Sequence, residues 1–274
     1  MTVLYLVFAA LAGLAVGSFL NVVIYRVPAG VSIVRPASAC PGCGHEIRAF
    51  DNVPLISWLV LGGRCRDCRM PISARYPGVE VLTGLAFVAT ALVFIPSWAA
   101  TPWPVVLAEV LELVAFAFLM AISIALAAID IDVHRLPNSI VLPAYAVASA
   151  LLIPAALLHG RAESLMIAGL GLVASLAFYG LLWVIKPGGM GFGDVKLAGV
   201  LGLYLGYLGW AQLIVGVAAA FVLGGIFGLV LIALRRAGRT TAVPFGPWML
   251  LGAWIGIIAG GPVAAGYLNY VGLG

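Results

Sequence analysis

An all-α polytopic membrane protein is the fold class this sequence predicts, and three observations carry the prediction. Of its 274 residues, 64% are hydrophobic and only 9% are charged, a balance foreign to soluble globular domains. Apolar runs near the roughly 20 residues that a helix needs to cross a hydrocarbon core recur along the chain. The basic residues between them fall almost wholly on one side, as membrane orientation requires. The same arithmetic excludes intrinsic disorder. It also speaks against nucleic-acid binding, because the formal net charge of +4 reflects topology rather than a partner. A barrel would show period-two alternation, which is absent, so helices of a lipid bilayer are expected.

Eight spans are expected, at approximately 2–25, 80–98, 104–129, 138–158, 163–185, 195–208, 210–234 and 247–272. The first has no Lys or Arg before it, and its first basic residue, Arg26, follows it. It therefore reads as a retained helix rather than a secretory signal. Arg26 and the Arg-rich stretch behind it place the amino terminus outside and residues 26–79 in the cytoplasm. With eight spans, Arg26, Arg35, Arg48, Arg64, Arg66, Arg69, Arg75, Arg135, Lys186, Lys196, Arg235, Arg236 and Arg239 share the cytoplasmic side. Only Arg161 falls outside, which favours an even number of spans with both termini outside. The sixth segment is short and Gly-rich, with a border near Gly209, so a count of seven stays open.

Residues 26–79 hold the one stretch of soluble-like composition and all four cysteines, as Cys40-Pro-Gly-Cys43 and Cys65-Arg-Asp-Cys68. Two such turns can converge four thiolates on Zn²⁺. Two disulfides are the alternative, but a reducing cytoplasm does not sustain them. So small an insert buries little core, and a structural metal supplies folding free energy directly. Four cysteine ligands leave no open position for catalysis, and His45 reads as a structural or surface residue. A four-thiolate site accepts iron as well as zinc.

Ionisable residues beside apolar segments are functional candidates by default. Asp130 and Asp132 lie where the third span ends, and Asp194 closes Gly189-Met190-Gly191-Phe192-Gly193-Asp194; all three are expected on the cytoplasmic side. Nucleotide binding at the glycines is rejected, since the fingerprint needs a strand before it. If Asp130 and Asp194 meet, one carboxylate can hold a proton while the other activates water, which is aspartic-protease chemistry. Capping, or pairing with Arg135 and Lys196, is the alternative reading. Glu109 and Glu112 read as interfacially solvated acids, and Glu80 as closing the insert by pairing with an Arg.

These residues together resemble bacterial type IV prepilin peptidases over essentially the whole chain. The resemblance rests on Cys40-Pro-Gly-Cys43-Gly-His45, Asp51-Asn52-Val53-Pro54, Gly63-Arg64-Cys65-Arg66-Asp67-Cys68 and Arg75-Tyr76-Pro77-Gly78-Val79-Glu80. It rests equally on Asp130-Ile131-Asp132 through Leu136-Pro137-Asn138 and on Gly191-Phe192-Gly193-Asp194. The last element alone is weak, because presenilin-like proteases share it. The resemblance implies a membrane aspartic endopeptidase with Asp130 and Asp194 as its catalytic pair. Its implied substrates are prepilins and pseudopilins of pilus and type II secretion systems, cut on the cytoplasmic side of the inner membrane after a glycine that precedes an apolar helix. It also implies N-methylation of the new terminus with S-adenosylmethionine, for which no binding pattern is visible. The expected organisation is a first transmembrane helix (1–25), a tetracysteine metal-binding insert (26–79; Cys40, Cys43, Cys65, Cys68) and a transmembrane protease domain (80–274). Asn138 stands where the family often has Asp. The competing classes are a proton-coupled transporter, disfavoured by the absence of repeats, and a structural membrane protein that docks partners through its insert.

Overall fold

The structure is a computed structural model that describes residues 2–95, 101–186, 188–234 and 244–272. Arg235, Arg236 and Arg239, expected on the cytoplasmic side, lie outside the described residues. Helix α1 (Thr2–Arg26) leads into the insert, which contains a 3-10 turn (Ala49–Asn52) and a short helix α2 (Ile56–Val60). Six long helices and one shorter one follow: α3 (Arg75–Val93), α4 (Trp103–Val133), α5 (Asn138–His159), α6 (Ala162–Ile185), α7 (Phe192–Leu208), α8 (Trp210–Ala233) and α9 (Gly246–Tyr270). Among the described residues, seven helices are long and apolar enough to cross a membrane. The shorter one, α7, is the expected sixth segment.

Its shortness has a packing reason. Thirteen of the 17 residues of α7 are buried, and α5, α6, α8 and α9 all pack against it. A helix walled by protein does not need the lipid-facing side chains that lengthen an apolar run. Its glycines let α6 approach: a Cβ on Gly202 would collide with the carbonyl oxygen of Gly171.

Helix boundaries differ from expectation at two informative places. Helix α3 begins at Arg75 rather than 80, because Pro77 in a first turn costs no helical hydrogen bond. Helix α4 runs past 129 and carries Asp130 and Asp132 in its last turn. It ends where His134 takes a left-handed conformation (φ 53°) and its N–H returns to the Asp130 carbonyl. Pro137 forbids continuation and caps α5.

The chain divides into two compact units. One comprises residues 1–96 with 116–125, in which α1 and α3 run antiparallel in close contact. The other comprises 97–115 and 126–274, in which α6 lies along α7 and α8 along α9.

Candidate active site and metal centre

The larger unit places two carboxylates in a buried position. Asp130 is 5% exposed and Asp194 is 7% exposed, whereas Asp132, on the same turn as Asp130, is exposed. Asp194 occupies the third position of α7 and reaches back so that the Gly191 N–H donates to its Oδ2 at 2.9 Å. That is a capping interaction, and it fixes the side chain over the amino-terminal end of its own helix. Asp130 receives its bond from elsewhere in the chain: the Gly246 N–H, at the start of α9, donates to Asp130 Oδ2 at 3.1 Å.

Leu136, in the turn between α4 and α5, packs where both would-be Cβ atoms of Gly193 and Gly246 would sit, at 3.0 and 3.3 Å. It thus lies against the glycine preceding Asp194 and the glycine bonded to Asp130. Phe245 is held in an aromatic cluster with Tyr179 and Phe221, at ring separations of 6.4 and 5.3 Å. That cluster steadies the amide of the residue after it. Lys196 donates to Asn138 Oδ1 at 2.9 Å rather than pairing with Asp194.

Gly246 was not singled out by sequence reasoning. A Cβ there would lie 2.7 Å from Asp130 Oδ2, so only glycine brings this amide so close. The signal available was Pro244-Phe245-Gly246-Pro247, a proline-flanked glycine opening the last span. Glu112 corrects an expectation. Its side chain is 13% exposed and is not an interfacially solvated acid: Tyr207 donates to its Oε1 at 2.6 Å, with His159 Nε2 at 3.5 Å and Arg161 at 3.8 Å. Glu80 also differs in partner, since its Oε2 accepts the backbone N–H of Leu55 at 2.7 Å.

In the smaller unit the four cysteine Sγ atoms lie within 4.8 Å of one another. Cys40 and Cys68 are 3.7 Å apart, close to the edge of about 3.8 Å that Zn–S bonds of roughly 2.3 Å give a tetrahedron. All four are free thiols. Each CxxC turn is built alike: an isolated bridge pairs Ala39 with Glu46 and Arg64 with Pro71, and the Cys40 and Cys65 amides close back onto His45 and Met70. Backbone N–H groups of Cys43 and Gly42 pull the Cys40 thiol down to about 6, whereas the Cys43 and Cys68 thiols beside it are pushed up, so Cys40 is the first of the cluster to become a thiolate. Arg66 bonds Asp51 and holds its carboxyl below the usual range. Arg48 pairs with Asp67, and both guanidinium groups lie over the Phe50 ring. The residues fit a structural tetrathiolate metal.

Residues 11–94 match the model of the bacterial peptidase A24 N-terminal domain, and residues 117–229 match that of the type IV leader peptidase family. A prepilin leader peptidase/N-methyltransferase of Aeromonas hydrophila is 34% identical over 97% of this chain and 94% of its own length. The chain belongs to the type IV leader peptidase family. Proteins of the same name in Pseudomonas aeruginosa and Myxococcus xanthus are 34% and 40% identical, covering 96% and 87% of this chain and 93% and 67% of their own lengths. No solved structure matches. As a leader peptidase family member with seven helices long and apolar enough to cross a membrane among its described residues, the chain is a multi-pass membrane enzyme.

Proposed function

We propose that this protein is an aspartic endopeptidase that removes the basic leader from type IV prepilins or pseudopilins at the cytoplasmic surface of the inner membrane. The observation that carries the reading is the pair Asp130 and Asp194: two buried carboxylates, each anchored by one backbone N–H, with Leu136 packed against both the glycine before Asp194 and the glycine bonded to Asp130. Anchoring leaves the second oxygen of each acid for chemistry. One carboxylate takes a proton from water as its oxygen attacks the scissile carbonyl carbon. The other, protonated, donates to the carbonyl oxygen, and a proton then passes to the leaving amine as the C–N bond breaks. Exposure of Asp132 supports assigning the role to Asp130.

Orientation follows from charge. By the positive-inside rule the arginine-rich insert reads as cytoplasmic, and the basic residues Arg135 and Lys196 beside the acids mark their helix ends as cytoplasmic too, where a basic leader would meet an apolar helix. Methylation of the new amino terminus is carried by the names of the relatives, with S-adenosylmethionine as the donor, and no residue is assigned to that donor. Cys40, Cys43, Cys65 and Cys68 hold a metal, read as Zn²⁺, whose contribution is to hold the insert folded.

The test is cleavage of a leader-bearing prepilin by purified protein in detergent. Asp130→Asn and Asp194→Asn each lower the rate about a hundredfold or more, the scale of a lost general acid or base, while Asp132→Asn cleaves like the parent. Product mass rises by one methyl group when the donor is present. Cleavage surviving both catalytic substitutions refutes the pair.

A further inference from the structure

The insert keeps an apolar face that neither its metal nor the proposed chemistry uses. Within α2, Ser57 and Trp58 turn inward. Ser57 accepts the Val53 N–H and donates to the Phe50 carbonyl, and Trp58 Nε1 donates to the Ile72 carbonyl at 3.2 Å. Ile56, Leu59 and Val60, spaced as one helical face, turn the other way and are 60%, 60% and 75% exposed. Three neighbouring aliphatic side chains so exposed are costly in water.

The position of this face along α1 is set by three contacts inside the smaller unit. Asn21 of α1 donates to the Tyr76 carbonyl of α3 at 3.0 Å, and a Cβ on Gly17 would lie 2.7 Å from the Glu80 Cα. Glu80 is therefore level with Gly17, nine residues before the basic end of α1 at Arg26, or roughly 13 Å along the axis toward the membrane interior. A headgroup zone takes up only about 5–8 Å of each leaflet. Glu80 in turn bonds the Leu55 N–H, which draws the chain down beside the first turns of α3. Helix α2 starts at the next residue. The surrounding insert, 26–79, carries seven arginines against three acids, which suits an anionic leaflet.

The geometry points to α2 as an interfacial helix: Ile56, Leu59 and Val60 enter the boundary between headgroups and acyl chains of the leaflet on the insert's side, while the exposed Arg35, Arg64 and Arg69 meet anionic headgroups. The occupant of this face is lipid, and the metal-binding insert is held to the bilayer by α2 as well as by its two flanking spans. This goes beyond the peptidase reading and does not depend on the catalytic pair.

The test places a photoreactive benzophenone amino acid at Ile56, Leu59 or Val60, one position at a time, in the full chain reconstituted in vesicles of phosphatidylethanolamine and phosphatidylglycerol. Glu46, exposed on the first cysteine turn, is the comparison position. Retained metal shows that a labelled chain is folded, and three separate positions keep the test decisive if one labelled chain is not. Phospholipid adducts about fivefold or more above position 46, unchanged by added prepilin, are the result expected of an interfacial face. Crosslinks to a second copy, transfer of the crosslink to prepilin, or lipid yields no higher than at position 46 overturn the inference.

Discussion

At the scale of single residues, the site depends on backbone amides that side-chain motifs do not advertise. Gly246→Ala puts a methyl group against Asp130 Oδ2, where the gap for a Cβ is 2.7 Å, and displaces the amide that anchors it. A displacement of about 1 Å in a reacting group lowers rates by up to roughly a hundredfold. Prepilin cleavage by this variant is expected to fall about tenfold or more, with the helical circular-dichroism signal unchanged. In the insert, Asp51 titrates below the ordinary carboxylate range because Arg66 bonds its ionised form. Its folded-state pKa is depressed, so the stabilisation is complete above the unfolded carboxylate range and disappears as pH falls through the depressed value. The difference in acid stability between the parent insert and Asp51→Asn should therefore be present near neutrality and vanish at low pH, as read by metal release across a pH series. Thiol protonation is common to both proteins and cancels in that difference.

At the scale of elements, α4 and α7 each carry a catalytic candidate at one end and a polar tie near the other. Asp130 and Glu112 are both on α4, and Asp194 and Tyr207 are both on α7. The Tyr207–Glu112 bond of 2.6 Å and the Tyr204 bond to the Ala115 carbonyl at 3.1 Å join the two helices away from the acids. Tyr207→Phe strips a short hydrogen bond from a largely buried carboxylate, a loss of about 1–3 kcal/mol, visible as a lower thermal midpoint in detergent. Glu112→Gln keeps an acceptor for the Tyr207 hydroxyl and should lose less. The same helices show what periodicity could and could not supply. Lipid-facing α4, α8 and α9 were legible as long apolar runs. Helix α7 was legible only as a short Gly-rich segment, because its neighbours, not its own side chains, satisfy its surface.

At the scale of the whole molecule, the four clustered cysteines belong to one compact unit and the two buried acids to the other. Metal binding to four thiolates is folding free energy for an insert with little core. Cys65→Ser, or removal of the metal by a strong chelator, should make residues 26–79 sensitive to protease while the helical content of the spans remains. Loss of that content would show instead that the metal holds the spans as well.

What the sequence by itself determined was the class of fold, the four cysteines that cluster and the identity of the candidate acids. Each of these rests on composition or local spacing: apolar length against bilayer thickness, CxxC turns that bring thiolates within reach, and carboxylates whose burial is costly wherever the chain puts them. Tertiary structure alone decided which of Asp130 and Asp132 is buried, that Gly246 supplies the Asp130 amide from 116 residues away, that Glu112 is bonded rather than solvated, and that Glu80 meets a backbone amide rather than an Arg. Those outcomes depend on which helices pack together, and packing between distant segments leaves no period and no motif in the chain for a local reading to find.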